Sequence, residues 1–173
     1  MRRFWVLLVV VVGVVLLAPI ATADGPVVVS GGGTGTFAAD LDGDGDIDGS
    51  HFGLGVVLAG GSVRGHFECQ MAGNADILGL PLMAVEGNAS GGSANPGAGT
   101  AMLTGRATVN LANGTKFTNV EYTVQLRDGG PGVGGLKLTV IGAFDGVPGD
   151  AVPGNGNYDL PPETVATGHI TVR

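Results

Sequence analysis

Five aspartates occupy every second position of one short segment, and no other residues of the chain combine type and spacing so specifically. The segment reads Asp-Leu-Asp-Gly-Asp-Gly-Asp-Ile-Asp, and its acidic residues are Asp40, Asp42, Asp44, Asp46 and Asp48. Calcium takes roughly six to eight oxygen ligands, which a loop supplies from positions 1, 3, 5, 7, 9 and 12. Counting from Asp40, Gly45 falls at position 6, where such a loop turns sharply. The spacing therefore predicts a calcium-binding loop over residues 40–51.

Position 12 of this loop departs from the pattern, because it is His51. A neutral imidazole is a poor ligand for calcium. The missing oxygens would come from water, from a backbone carbonyl such as that of His51, or from a loop carrying Asp145 and Asp150. We therefore expect a weak structural site, with a dissociation constant of roughly 10⁻⁴ to 10⁻³ M.

A simpler interpretation is a flexible acidic turn, since Asp and Gly form turns for reasons unrelated to metals. Close carboxylates repel one another by about 1 kcal/mol per pair even in water. Five of them within nine residues favour a counter-ion. The acidic pattern also resembles the calcium loops of dockerins, thrombospondin type-3 repeats and EF-hands over about a dozen residues. It occurs once and no helical pattern flanks it, so neither an EF-hand pair nor a cohesin-binding dockerin is expected.

The N-terminus predicts secretion. Arg2 and Arg3 precede an apolar run over residues 4–18, and Ala21-Thr-Ala23 places small residues at a cleavage site. We interpret residues 1–23 as a signal peptide. The run is shorter than the ~20 residues of a spanning helix, so no membrane span is expected after cleavage. Removing two arginines changes the net charge from −7 to −9, which disfavours a nucleic-acid partner.

The remaining residues, 24–173, predict one all-β domain. Apolar residues alternate with polar residues or glycine in many short stretches, which is typical of half-buried antiparallel strands. We expect an antiparallel β-sandwich or flattened barrel of seven to nine short strands, although 34 glycines weaken strand propensity. The predicted strands are 27–30, 34–38, 52–58, 63–70, 77–85, 101–111, 120–126, 136–144 and 164–172. Residues 87–99, rich in Gly, Ala, Ser and Asn, are predicted to form a flexible loop.

The alternation assigns two side chains to the core, and one further aromatic residue remains as a surface candidate. Cys69, the only cysteine, shares a strand face with Val63 and Phe67 and is expected to be buried and unreactive. Tyr122 is predicted to face the core. Tyr158 is the best exposed candidate for stacking on a sugar ring.

Most of the mature chain also resembles small secreted bacterial β domains called post-COAP domains. The resemblance rests on short glycine-rich motifs: Ser-Gly-Gly-Gly-Thr-Gly-Thr-Phe at 30–37, Gly-Ser-Val-Arg-Gly-His-Phe at 61–67, Gly-Arg-Ala-Thr-Val-Asn at 105–110, segment 122–131 with its Asp-Gly-Gly-Pro turn, and Gly-His-Ile-Thr-Val at 168–172. It implies no catalytic residue, and the acidic loop is an addition to it.

The inventory of catalytic motifs is nearly empty, so we predict no catalytic residues and no enzyme. The sequence predicts a secreted structural or binding domain that is stabilised by calcium and contacts an unidentified extracellular ligand or protein. One alternative is a secreted hydrolase or metal-dependent enzyme, which would need its histidines to converge in a pocket or would use a glutamate pair. Its candidates are His51, His66 and His169, and Glu68, Glu86, Glu121 and Glu163. Another alternative is a carbohydrate- or matrix-binding module.

Overall fold

The computed structural model describes residues 25–39, 49–77 and 80–173, with the backbone only for 72–77 and 80–82. The predicted signal peptide and the aspartates of the acidic loop lie outside these ranges. Within them there is no helix with the length and apolar character to cross a membrane. The strands are β1 (Val27–Thr36), β2 (Gly49–Ala59), β3 (Ser62–Ile77), β4 (Leu80–Asn95), β5 (Thr100–Leu111), β6 (Lys116–Arg127), β7 (Gly135–Ile141), β8 (Tyr158–Asp159) and β9 (Glu163–Val172).

The strands form one antiparallel sheet that closes into a ring. Strands β1 to β6 follow one another as a meander, β6 pairs with β7, and β9 pairs with both β7 and β1. Strands β8 and β9 lie along the same edge of β7. Between them stand Pro161 and Pro162, which have no N–H group to donate to the sheet. The prediction of an all-β fold with seven to nine strands is confirmed.

The core lies inside the ring, where alternate residues of each strand meet. The rings of Phe67 and Tyr122 stack with their centroids 5.4 Å apart. Cys69 is 1 % exposed, on the same inner face of β3 as Phe67. The predicted burial of Cys69 and Tyr122 is therefore confirmed, and it follows from the period of two along β3 and β6.

The predicted loop at 87–99 and the predicted exposure of Tyr158 are wrong. Residues 87–95 belong to β4 and pair with β5, because their backbone continues the ladder despite their small polar side chains, with one irregularity between Ala89 and Gly91. Only residues 96–99 form the turn between these strands. Tyr158, predicted to be exposed, is 0 % exposed, and its hydroxyl donates to the carbonyl of Pro148 at 3.2 Å. Its ring is therefore not available for stacking on a sugar.

Candidate functional site

The acidic segment connects two neighbouring strands of the sheet. Strands β1 and β2 pair in register, and the pair closest to the segment is Thr34 with His51. Residues 40–48, which include the predicted metal ligands, lie outside the described residues. The side chain of His51, at the last position of the loop pattern, is exposed on the outer face of β2. The strand pairing thus fixes both ends of the segment.

A buried carboxylate lies where these two ends meet. Glu163, the first residue of β9, is 3 % exposed, and Ser50 is 2 % exposed. Glu163 Oε2 accepts hydrogen bonds from the backbone N–H of Ser50 at 3.1 Å and from its Oγ at 2.6 Å. A Cβ atom on Gly35 would collide with the same oxygen. Glu163 therefore contacts one residue near each end of the acidic segment.

The second oxygen of this carboxylate has no such partner. Glu163 Oε1 is buried and makes no hydrogen bond within the described part of the chain. Burial raises the pKa of Glu163, and the two hydrogen bonds from Ser50 oppose that rise only in part. Burial, followed by the charge of Glu163, also raises the pKa of Cys69 well above its usual range, while a hydrogen bond with Ser50 lowers it. The cysteine is therefore a poor nucleophile.

The loop that carries Asp145 and Asp150 uses its carboxylates internally. Asp145 accepts hydrogen bonds from the backbone N–H groups of Gly154 at 2.6 Å and Gly156 at 2.9 Å. Asp150 accepts from the N–H groups of Gly146, Val152 and Asp159. Burial raises the pKa of Asp150, but these bonds outweigh it and the pKa is lowered overall. Both carboxylates are thus engaged in holding their own loop.

A polar groove of about 390 Å³ lies on the outer face of β1 to β4. Its lining includes the side chains of His51, Glu68 and Glu86. Glu68 and Glu86 stand directly opposite each other in the register of β3 and β4. Glu68 folds over Gly53, where a Cβ atom would lie 2.6 Å from its Oε1. The groove therefore combines two carboxylates and an imidazole.

Two of the three histidines lie close to a carboxylate of their own. His66 Nε2 lies 3.8 Å from Glu86 Oε1, and His169 Nε2 lies 3.7 Å from Asp128 Oδ1. In residues 25–39, 49–77 and 80–173, no group of three or more His, Cys, Asp or Glu side chains could hold a metal ion.

The contact between Glu163 and Ser50 is the feature that sequence reasoning missed. In the sequence, Glu163 is one of four glutamates and no local motif distinguishes it from the others. Its position relative to Val165, two residues further along β9, is a usable signal, because side chains two apart share a strand face. An ionisable residue on the same strand face as a buried valine indicates a polar site inside the fold.

Comparisons of the chain with protein-family models, with curated proteins and with solved structures found no match.

Proposed function

We propose that this chain is a secreted, non-catalytic β domain whose fold is stabilised by a calcium ion bound by Asp40, Asp42, Asp44, Asp46 and Asp48. Its role at the cell exterior is structural or that of a binding domain. The ion neutralises the five carboxylates and orders the connection between β1 and β2.

The observation that carries this proposal is the location of the acidic segment in the closed sheet. Strand β1 pairs with β2 on one side and with β9 on the other. The segment leaves β1 and enters β2, and Glu163 of β9 contacts residues at both of its ends. An ion that orders this segment acts where three strands of the ring meet, so its binding energy contributes directly to keeping the ring closed.

The expected gain in stability follows from linkage. A ligand that binds only the folded state, at about 100 times its dissociation constant, adds about 2.7 kcal/mol to the free energy of unfolding. For a domain of this size, that corresponds to a rise in Tm of roughly 5 to 10 °C.

The test is thermal unfolding of residues 24–173, which contain all nine strands, in excess chelator and then in ~10 mM calcium. We expect calcium to raise Tm in the wild-type chain but not in Asp42→Ala/Asp44→Ala. Glu68→Gln/Glu86→Gln is the matched control, because it also removes two carboxylates and should keep the calcium shift. An equal Tm with and without calcium in the wild-type chain would reject the calcium site and leave the acidic segment as a solvated turn.

A binding role is favoured by the outer groove. Like charges directly opposite each other on neighbouring strands destabilise a sheet, and Glu68 and Glu86 are such a pair. A cationic group of an extracellular ligand would relieve their repulsion. Binding of a lysine-rich peptide, measured by isothermal titration calorimetry, should therefore weaken in Glu68→Gln/Glu86→Gln. Unchanged affinity in that variant would exclude the groove as the binding site.

A further inference from the structure

We propose that a second outer groove, which crosses β4 to β7, binds an acidic carbohydrate made of uronic acid residues, and that Arg127 holds a carboxylate of this ligand. The inference is independent of the calcium site, because the residues that line this groove all lie in the described part of the chain. It goes beyond the proposed function by assigning a separate surface and the chemical class of its ligand.

The groove has the size of a ligand site. Its volume is about 800 Å³, and it crosses β4, β5, β6, β7 and the start of β9. Sites for small molecules are typically roughly 300 to 1,000 Å³. Neighbouring strands lie about 4.8 Å apart, so five of them give a length of about 19 Å, enough for several sugar residues.

The strand register arranges the outward side chains of the groove in two rows. On each strand, the residues that flank a buried position point to the outside. On β5, β6 and β7, one row contains Met102, Gln125 and Lys137, and the other contains Thr100, Arg127 and Gly135. The groove is therefore a surface of the outer face, and its chemistry is set by these two rows.

The charge of this groove favours an anionic ligand. Its cationic residues are Arg127 and Lys137. Glu163 is the acidic residue of its lining, and the Glu163 carboxylate is bonded to Ser50 inside the ring. The first groove is lined by glutamates instead. On a chain with a net charge of −7, the second groove is a local cationic surface that attracts anions.

Arg127 is the residue best placed to hold a carboxylate. Its side chain is exposed, and the ion pairs of the described residues do not include it, whereas Lys137 Nζ lies 4.0 Å from Asp159 Oδ1. A Cβ atom on Gly135 would lie 3.8 Å from Arg127 Nη2 and 3.9 Å from its Nε. Because Gly135 has no side chain, the guanidinium remains open to the groove. A guanidinium binds a carboxylate through two parallel hydrogen bonds.

The other side chains of the rows favour a carbohydrate. Thr100 and Gln125 offer hydroxyl and amide groups that both donate and accept hydrogen bonds, which matches the hydroxyls of a sugar. Met102 is 43 % exposed and provides an apolar contact for the C–H face of a sugar ring.

An acidic peptide is less suited to this groove. Extended peptides commonly bind by adding a strand to an unpaired sheet edge. Strand β5 is paired with β4 and β6, and β6 is paired with β5 and β7, so both have partners on each side. The middle of the groove therefore offers a ligand its side chains only.

The test is binding of a galacturonic acid hexamer to residues 24–173, measured by isothermal titration calorimetry in excess chelator, below the Tm measured in that chelator. The chelator removes calcium, which carboxylate oxygens of the hexamer would also bind. We expect Arg127→Gln to weaken binding by roughly tenfold or more, because hydrogen bonds between charged groups are the strong ones. Arg106→Gln is the matched control. It makes the same change of charge at an exposed arginine that pairs with Glu121 outside this groove, and it should bind like the wild type.

Two further probes test the class of the ligand. A neutral glucose hexamer and a glutamate hexamer should each bind at least roughly tenfold more weakly than the galacturonic acid hexamer. Equal binding of the neutral sugar would refute the role of charge. Equal binding of the glutamate peptide would refute the carbohydrate and identify the groove as a site for acidic peptides.

A measurement on the wild-type chain guards against a variant that fails to fold. Titration with the galacturonic acid hexamer should shift the NMR resonances of the Arg127 side-chain Nε–H and of the Thr100 and Gln125 amides, while those of Glu68 and Glu86 stay in place. No shift at Arg127 would overturn the inference. Asp42→Ala/Asp44→Ala should bind the hexamer like the wild type, so a failure of the calcium site and a failure of this inference are distinguishable.

Discussion

The hydroxyl of Tyr122 provides a sharp test of the packing inside the ring. Its ring stacks on Phe67, it is 1 % exposed, and its Oη has no hydrogen-bond partner among the described residues. An unsatisfied buried polar group costs about 1 to 3 kcal/mol. Replacing Tyr122 with Phe removes that cost and leaves a gap the size of one oxygen. We therefore expect Tyr122→Phe to stabilise the domain by about 1 kcal/mol, which raises Tm by roughly 2 to 4 °C.

Tyr158→Phe is the matched control, because it makes the same chemical change at a hydroxyl that has a partner. The Tyr158 hydroxyl donates to the carbonyl of Pro148 at 3.2 Å. Losing that bond should destabilise the domain by about 1 kcal/mol. The assay is thermal unfolding followed by circular dichroism under identical conditions. If both variants lost the same stability, Tyr122 Oη would have a partner such as an internal water, and the reasoning from an unpaired hydroxyl would be refuted.

Two further predictions follow from the same interior. Burial raises the pKa of Tyr122 to about 12, from 10.0 for an unperturbed tyrosine. The folded state holds the Tyr122 proton more tightly than the unfolded state, so the contribution of this tyrosine to stability is complete below pH 10 and is lost as the pH rises towards 12. The loss of stability at alkaline pH should therefore be smaller in Tyr122→Phe, as measured by alkaline unfolding followed by tyrosinate absorbance. Gly35→Ala should destabilise the domain by about 1 to 3 kcal/mol, because the new methyl group displaces a carboxylate that two hydrogen bonds hold in place. Gly55→Ala is the control, because a Cβ atom there meets nothing within 4 Å, and it should leave the Tm of thermal unfolding almost unchanged. Equal losses of Tm in the two glycine variants would contradict the packing of Glu163 on Gly35.

The alternation of side chains predicts most of the strands, because each strand has one buried face. In β6 the inward positions are Tyr122, Val124 and Leu126, and all three are buried. The same reasoning fails for residues 87–95, whose small and polar side chains carry little hydrophobic contrast. These residues form a strand because their backbone pairs with β5, and the amino-acid composition of the segment does not indicate that pairing. The end of β7 is also mispredicted. The strand ends at Ile141, three residues before the predicted end at 144, because the chain turns at Gly142, where φ is +70°.

The candidate site is only half accessible to sequence reasoning. The acidic pattern is visible because its five aspartates are close together in the chain and follow a fixed spacing. Glu163 is not visible in that way, because its contacts with Ser50 and Gly35 depend on how β9 closes the ring against β1. The closure joins strands from opposite ends of the domain, and no local pattern specifies which strands will pair.

The two buried carboxylates Glu163 and Asp159 differ in how completely the fold supplies them with partners. The fold supplies Asp159 with a hydroxyl, an amide and a nearby ammonium group, so both of its oxygens are satisfied by the protein itself. It supplies Glu163 with hydrogen bonds on Oε2 only, and Oε1 is buried without a partner among the described residues. Proteins break local rules of this kind mainly at functional sites. A half-satisfied carboxylate between Ser50 and Gly35 is therefore a polar group inside the ring whose burial the fold itself does not fully compensate.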